Sequence, residues 1–166
     1  MRVKIIDWNS KDYWIGIHLR NKLLKTSSGK EWITELPANE KHDIHMAVMM
    51  NGAVVGTLLL SKKSQTVAQI KQVAIDDNYH GIGLGKKLLE FAEKVAELMK
   101  FQTIILTGRK QAWGFYDRFG YQSIGCEYAE GLVSLKRFEK RLQTQKNTEK
   151  FRINKPIQVK EMETNG

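Results

Sequence analysis

Hydrophobic and polar positions in the first half of the chain predict a strand, a helix and a hairpin. Residues 2–7 form a short apolar run that is typical of a strand. In residues 10–25, apolar side chains recur at helical spacing after Ser10, which predicts a helix with a serine N-cap. Farther along, two apolar runs flank the pair Asn51-Gly52, which favours a two-residue hairpin turn.

The second half of the chain predicts a longer helix and several further strands. Residues 67–75 favour a strand, and the segment that begins at residue 84 has one apolar helical face. That face is formed by Leu84, Leu88, Ala92, Val95 and Met99. The remaining pattern predicts a strand at 101–107, a short helix at 110–119 and closing strands at 121–128 and 132–138. This order predicts an α/β fold in which helices cover a mixed sheet.

Length and composition support a single folded domain. The chain has 166 residues, of which 42% are hydrophobic, and this is enough for one core. The one cysteine excludes an internal disulfide, and we expect Cys126 to be a buried, unreactive thiol. The four histidines lack metal-ligand spacing, so no metal site is predicted. Since no run of about 18 apolar residues occurs, we expect a soluble, cytoplasmic protein.

Charge separates a C-terminal segment from the rest of the chain. The net charge is +9, and a surplus of five positive charges falls in residues 136–166. We therefore predict a folded domain over residues 1–138 and a basic tail over residues 139–166. The tail also contains spaced apolar residues, namely Phe151, Ile153, Ile157 and Val159. Such spacing suits an arm that docks on this domain or on a second copy, which leaves a homodimer open.

Alternate glycines at the start of the long helix predict an anion site. Gly81, Gly83 and Gly85 precede Lys86 and Lys87. A helix N-terminus exposes unpaired N–H groups that favour an anion, and glycine lets a phosphate approach them closely. The alternative is a tight turn that needs glycine only for its dihedral angles. The spacing of these glycines excludes two common nucleotide-binding motifs. Neither the dinucleotide motif GxGxxG nor the nucleoside-triphosphate motif GxxxxGK[ST] fits this run.

Two segments resemble the signatures of the GNAT superfamily of N-acetyltransferases. "VAIDDNYHGIGLGKKLLEFA" resembles its acyl-CoA signature, and "GRKQAWGFYDRFGYQSIG" resembles its later signature. The resemblance covers roughly residues 2–138. It implies a mixed, mostly antiparallel central sheet flanked by helices. It also implies transfer of an acetyl group from acetyl-CoA to a primary amine, by direct transfer in a ternary complex.

The resemblance also implies roles for individual residues. Main-chain amides from a run at the helix start would bind the CoA diphosphate: His80, Gly81, Ile82, Gly83, Leu84, Gly85 and Lys86. The main chain of three strand residues would pair with the pantetheine arm: Val73, Ala74 and Ile75. Arg109 and Phe115 would line the same cleft. Tyr116 stands at the family's acid position, and a backbone N–H of the strand would meet the oxyanion.

Several positions depart from the family pattern. Gln69 falls where histone-modifying relatives carry a catalytic glutamate, and glutamine cannot accept a proton. No general base is therefore assigned; Glu127, a water chain or an amine that arrives neutral are the alternatives. His80 replaces the usual arginine or glutamine and supplies less fixed charge to a phosphate. Asp77 stands where the family often has proline.

The family's acceptor site lies in segments that here are residues 26–43 and 125–134. Acidic residues in and near them could attract a cationic amine, with Trp32 as an apolar wall: Glu31, Glu35, Glu127 and Glu130. The alternative is that these charges are solvated loop residues. The acceptor is expected to be a small-molecule or peptide amine.

Two further functions are alternatives to the enzyme. A non-catalytic regulatory module that binds acyl-CoA would share the donor site, and the missing base leaves it open. A nucleic-acid-binding protein would use the basic tail, but the domain lacks basic residues interleaved with aromatic ones, so binding to nucleic acid is not expected.

Overall fold

The computed structural model describes residues 1–143. Seven strands and four α-helices follow one another along this part of the chain. In order they are β1 Arg2–Ile6, α1 Lys11–Arg20, α2 Thr26–Ser28, β2 Ile44–Met50, β3 Ala53–Lys62, β4 Val67–Ile75, α3 Leu84–Leu98, β5 Thr103–Arg109, α4 Trp113–Arg118, β6 Gln122–Glu130 and β7 Val133–Arg141. None of the helices in these residues is long and apolar enough to cross a membrane.

The strands form one mixed sheet. Their order across it is β1-β2-β3-β4-β5-β7-β6, and the neighbours are antiparallel except for the parallel pair β4–β5. The crossover from β4 to β5 runs through α3, as a parallel pair requires. The expectation of a mostly antiparallel sheet flanked by helices is confirmed.

Local signals in the first half of the chain place the elements as predicted. The Ser10 side chain accepts a hydrogen bond from the Tyr13 N–H at 3.2 Å and caps α1. Asn51 and Gly52 both have positive φ, at 51° and 79°, as the tight turn between β2 and β3 requires. A π-helical turn over Asn21–Lys25 joins α1 to α2. The three segments form one continuous helix from Lys11 to Ser28, which is called the first helix below.

Each face of the sheet is covered by a helix. The apolar side of α3 packs on one face, with Leu84, Leu88, Ala92 and Val95 buried. Helix α1 packs on the other face beside Ile6, Ala47 and Ala74. Gly16 of α1 allows a close approach, since a Cβ there would lie 2.8 Å from Cγ2 of Thr57.

Two predictions of burial are wrong. Met99 was expected on the buried face of α3, but it caps the end of the helix and is 43% exposed. Cys126 was expected to be buried, yet its thiol is exposed. The cause is its place on β6, which is the last strand of the sheet and is exposed along most of its length. Apolar residues at a sheet edge need not enter a core.

The folded body extends slightly beyond the predicted boundary at residue 138. Strand β7 continues to Arg141, where it pairs with Thr103, and the next residue, Leu142, is buried. The pairing continues because β5 offers a partner for each residue of β7 from Leu135 to Arg141. The predicted docking arm at 151–159 lies outside the described residues.

A buried ion pair fixes α1 to the segment before β2. Arg20 donates to both carboxylate oxygens of Glu40, at 2.8 and 2.6 Å, and the Tyr13 hydroxyl donates to the same carboxylate at 2.9 Å. Burial by itself would raise the pKa of Glu40, but the hydrogen bonds and charge of Arg20 outweigh it and lower that pKa. The carboxylate therefore stays ionised inside the protein.

Replacement of Glu40 by alanine should strongly destabilise the fold. It leaves the charge of buried Arg20 uncompensated, which typically costs about 3–5 kcal/mol. Because the pKa of Glu40 is lowered by folding, its contribution is present above the ordinary carboxyl pKa of about 4.3 and fades as pH falls below it. Urea denaturation at pH 7 measures the loss.

Glu130→Ala is the matched control for this prediction. Its partner, Lys30, is a solvated lysine, and exposed ion pairs contribute about 1 kcal/mol or less. Equal losses for the two variants would contradict the assigned role of the Arg20–Glu40 pair.

Candidate active site

The two parallel strands separate in the middle of the sheet. Strands β4 and β5 pair only from Val67 and Thr103 to Ile70 and Leu106, although both continue further. The cause lies at Gln72, whose φ of 58° is uncommon for a residue other than glycine and shifts the register of β4 against β3. Beyond this bulge, the edge of β4 that faces β5 has no strand partner in the described sheet.

A large cleft opens where the strands separate. Its volume is about 1120 Å³, and its walls come from β4, β5, the start of α3, helix α4 and the end of the first helix. Val73, Ala74 and Ile75 of β4 line it. Ala74 is buried, so its contribution to the cleft is mainly its backbone. A sheet edge of this kind can pair with an extended ligand that contains amides.

The glycine run reaches the cleft at the N-terminus of α3. Gly81 and Gly83 both have a φ of 83°, a conformation that favours glycine. A Cβ at either position would meet no atom within 4 Å, so packing does not explain why side chains are absent there. Gly83 supplies no capping side chain, and the first turn contains no acidic residue. The free N–H groups of this turn therefore favour an anion.

Other residues of the run have separate positions. The ring of His80 lies 3.1 Å from the carbonyl oxygen of Ile75 and 3.6 Å from the Asp77 carboxylate, and it is well exposed. Lys86 lines the cleft. The side chain of Leu84 is buried in the core, which leaves its main chain for binding. Ile82 is 52% exposed and does not line the cleft.

Tyr116 of α4 lines the cleft. It is 6% exposed and packs on Phe138 and Tyr121. A Cβ on Gly108 would lie 2.9 Å from the Tyr116 ring, so this glycine makes room for the tyrosine. Burial raises the pKa of Tyr116 to about 12, which keeps its hydroxyl protonated at neutral pH.

Phe115, the residue before Tyr116, links α4 to the glycine run. A Cβ built on Gly85 would lie 3.7 Å from the Phe115 ring, which is an ordinary contact distance. Phe115 also stacks on Phe119, with ring centroids 5.8 Å apart. The short helix is thus held beside the N-terminus of α3, and both Phe115 and Tyr116 line the cleft.

Arg109 crosses the cleft to the end of the first helix. Its guanidinium donates to the Leu24 carbonyl oxygen at 2.8 Å and to the Ser27 hydroxyl at 2.5 Å. Both acceptors are uncharged, and burial lowers the pKa of Arg109. Arg109 thus lines the cleft, and two of its N–H groups donate to the first helix.

The turn between β6 and β7 also contacts the first helix. Lys30 and Glu130 form an ion pair at 2.5 Å, and the Leu132 N–H donates to the Ser28 carbonyl oxygen at 3.4 Å. The hydrogen bond and charge of Lys30 lower the pKa of Glu130. This end of the cleft is therefore bridged by contacts between two segments that are far apart in sequence.

The predicted acidic acceptor site is not assembled. Of the four carboxylates considered, Glu31, Glu35 and Glu127 do not line the cleft, and Glu130 is paired with Lys30. Sequence reasoning instead missed Lys22 and Lys25, which line the cleft from the π-helical turn. Their spacing of three along a helix was the available signal. No cluster of metal ligands occurs within residues 1–143.

The sequence matches a known protein family. The model of the acetyltransferase (GNAT) family matches residues 6–121, which is most of the chain. The separated parallel strands and the glycine-rich start of α3 fall within this match. The chain belongs to the acetyltransferase (GNAT) family.

Solved structures agree with this assignment at the level of the fold. An N-acetyltransferase from Lactobacillus plantarum, named provisionally, is 22% identical with a TM-score of 0.73, over 86% of this chain and 99% of that one. An aminoglycoside 6'-N-acetyltransferase complexed with coenzyme A is 14% identical with a TM-score of 0.70, over 87% of this chain and 99% of that one.

A curated relative matches part of the sequence. It is a Bacillus subtilis (strain 168) protein with a provisional acetyltransferase name, 26% identical over 84 residues. The match covers 51% of this chain and 56% of that protein. The chain thus matches little more than half the length of this relative.

Proposed function

We propose that the protein is an N-acetyltransferase that moves an acetyl group from acetyl-CoA to a primary amine. The observation that carries this proposal is the convergence of three features on one cleft. These are the unpaired edge of β4, the open N-terminus of α3 and the buried hydroxyl of Tyr116. Family membership supports the same activity.

Acetyl-CoA fits the cleft through its two chemically different parts. The pantetheine arm contains amides, and the main chain of Val73, Ala74 and Ile75 would pair with them as an added strand. The diphosphate would lie on the amides from His80 to Lys86, where the helix dipole and Lys86 supply positive charge. Arg109 and Phe115 would line the same cleft as the bound acetyl-CoA.

The reaction is a direct transfer within a ternary complex. The neutral amine attacks the thioester carbon, a C–N bond forms, and a backbone N–H of β4 near the Gln72 bulge stabilises the oxyanion. The C–S bond then breaks, and the Tyr116 hydroxyl gives its proton to the departing thiolate. The proton released by the amine passes through water and restores the phenol. The products are the acetylated amine and CoA with a free thiol.

The pKa of Tyr116 constrains this step. A pKa of about 12 lies well above the ordinary thiol pKa of about 8.5, so proton transfer from the phenol to an ordinary thiolate is unfavourable. The same burial raises the pKa of a thiol beside Tyr116. The difference between the pKa values of the phenol and the thiol is therefore smaller than in water. The high pKa also ensures that the donor is protonated in every turnover at neutral pH.

The site offers no strong general base. Gln69 lines the cleft but cannot accept a proton. Glu130 lines it as well, yet Lys30 lowers its pKa and makes it a weak base. The amine is therefore expected to arrive neutral or to lose its proton to water, and turnover should rise as pH approaches the pKa of the acceptor.

Gly85→Ala separates the ligand role of the glycine run from a structural one. Alanine is favoured over glycine inside a helix by about 1 kcal/mol, and the new Cβ would make only an ordinary contact with Phe115. We expect unchanged or higher stability in urea but acetyl-CoA binding at least about tenfold weaker by calorimetry, because the methyl group obstructs the diphosphate. Unchanged affinity would show that the absence of a side chain at Gly85 does not serve binding.

Tyr116→Phe tests the acid. Removal of the hydroxyl keeps the ring that packs on Phe138, so the fold and the acetyl-CoA affinity should change little. We expect kcat to fall by about 100-fold or more, as for the loss of a general acid. Thiol release in single turnovers measures the effect, and a rate within threefold of the unmodified protein would remove Tyr116 from the mechanism.

The second candidate is a regulatory module that binds acyl-CoA without turnover. The weakness of the available bases favours it, whereas the buried, protonated Tyr116 favours the enzyme. The module would bind acetyl-CoA yet release no thiol with any amine. The same assay therefore distinguishes the two functions.

A further inference from the structure

Basic residues dominate the end of the cleft next to the first helix. Lys22, Lys25 and Lys30 line it from the helix and the segment that follows, and Arg109 reaches it from β5. Glu130 is the only carboxylate at this end among the described residues that line the cleft, and it is paired with Lys30. This end thus has a surplus of positive charge.

Arg109 is a half-buried cation without a carboxylate partner among residues 1–143. Its printed hydrogen bonds go to the Leu24 carbonyl and the Ser27 hydroxyl, which are both neutral. These two bonds use one N–H of each terminal nitrogen, while a guanidinium has five. Donors therefore remain for a ligand in the cleft.

Lys25 lies directly after Leu24, the residue that Arg109 contacts. Burial lowers the pKa of Lys25, and the charges of Lys30 and Arg20 lower it further. Lys25 is therefore held among like charges, and it lines the same cleft as Arg109. An anion placed against Lys25 would relieve this repulsion, and one that also reaches Arg109 would gain charge-assisted hydrogen bonds.

We propose that the acceptor is a small amine that carries an oxyanion, a carboxylate or a phosphate, bound by Arg109 and Lys25. This inference rests on the proposed function and names the class of its second substrate. The oxyanion would hold the molecule at the first helix and leave its amine directed toward the acetyl group. A dicationic amine would instead be repelled by the positive charges at this end of the cleft.

The geometry of the cleft also favours a small acceptor. Contacts between the β6–β7 turn and the first helix bridge this end, through Leu132 with Ser28 and Lys30 with Glu130. A compact molecule reaches the closed end of such a cleft more easily than a side chain on a folded protein surface. The donor phosphates have a separate place, at the start of α3.

The test measures acceptor preference with matched pairs of amines. The full-length protein, saturated with acetyl-CoA, is assayed for thiol release with α-amino acids and their carboxamides, with O-phosphoethanolamine and ethanolamine, and with cadaverine. The amine of a carboxamide is less basic than that of the free acid, so more of it is neutral. A preference for the acid therefore cannot come from amine protonation.

We expect kcat/KM for an oxyanion-bearing amine to exceed that of its neutral counterpart by about tenfold or more. Lys25→Gln should remove most of this preference by raising the acceptor KM, with the Kd for acetyl-CoA unchanged. Lys63→Gln is the matched control, because Lys63 is exposed on the β3–β4 turn and does not line the cleft. It should behave as the unmodified protein does.

Preference for the acid or for the phosphate supports the inference and identifies the oxyanion. Preference for ethanolamine, a carboxamide or cadaverine overturns it. The inference is also overturned if Lys25→Gln weakens acetyl-CoA binding but leaves the acceptor KM unchanged. Lys25 would then bind acetyl-CoA and not the acceptor. Acetyl-CoA binding without acetylation of any oxyanion-bearing amine overturns the inference alone, whereas no acetyl-CoA binding overturns the proposed function with it.

Discussion

The separation of β4 from β5 is the constraint on which the cleft depends. A parallel pair that stayed in register to its ends would close the sheet and leave no room for a ligand. The bulge at Gln72 prevents this, because the strained φ turns the β4 backbone away from the ladder that ends at Ile70 and Leu106. The open backbone edge is thus a consequence of one residue's conformation.

The surrounding elements are arranged around that opening. Helix α3 brings the glycines to one side of the cleft, and α4 brings Tyr116 to its wall, where Gly108 leaves room for the ring. The first helix forms the other side and is fixed by the buried Arg20–Glu40 pair on the opposite face of the sheet. The stability of this pair therefore also determines where Lys25 and the helix end lie.

The order of the elements could be predicted from the sequence because its signals are local. A helix cap at Ser10, the turn at Asn51 and the spacing of the glycines each depend on neighbouring residues. The end of the cleft next to the first helix could not be predicted in the same way, since it depends on contacts between distant segments. The pairing of Lys30 with Glu130, and the hydrogen bonds of Arg109 to the first helix, join segments that are far apart in the sequence.

The central claim is that acyl-CoA lies along β4 and on the start of α3. Amide hydrogen exchange, compared between the free protein and the protein saturated with acetyl-CoA, tests it most directly. The account predicts slower exchange at 73–75 and 81–86, where the backbone gains hydrogen bonds to the ligand. Unchanged exchange in both segments, with protection elsewhere, would contradict it.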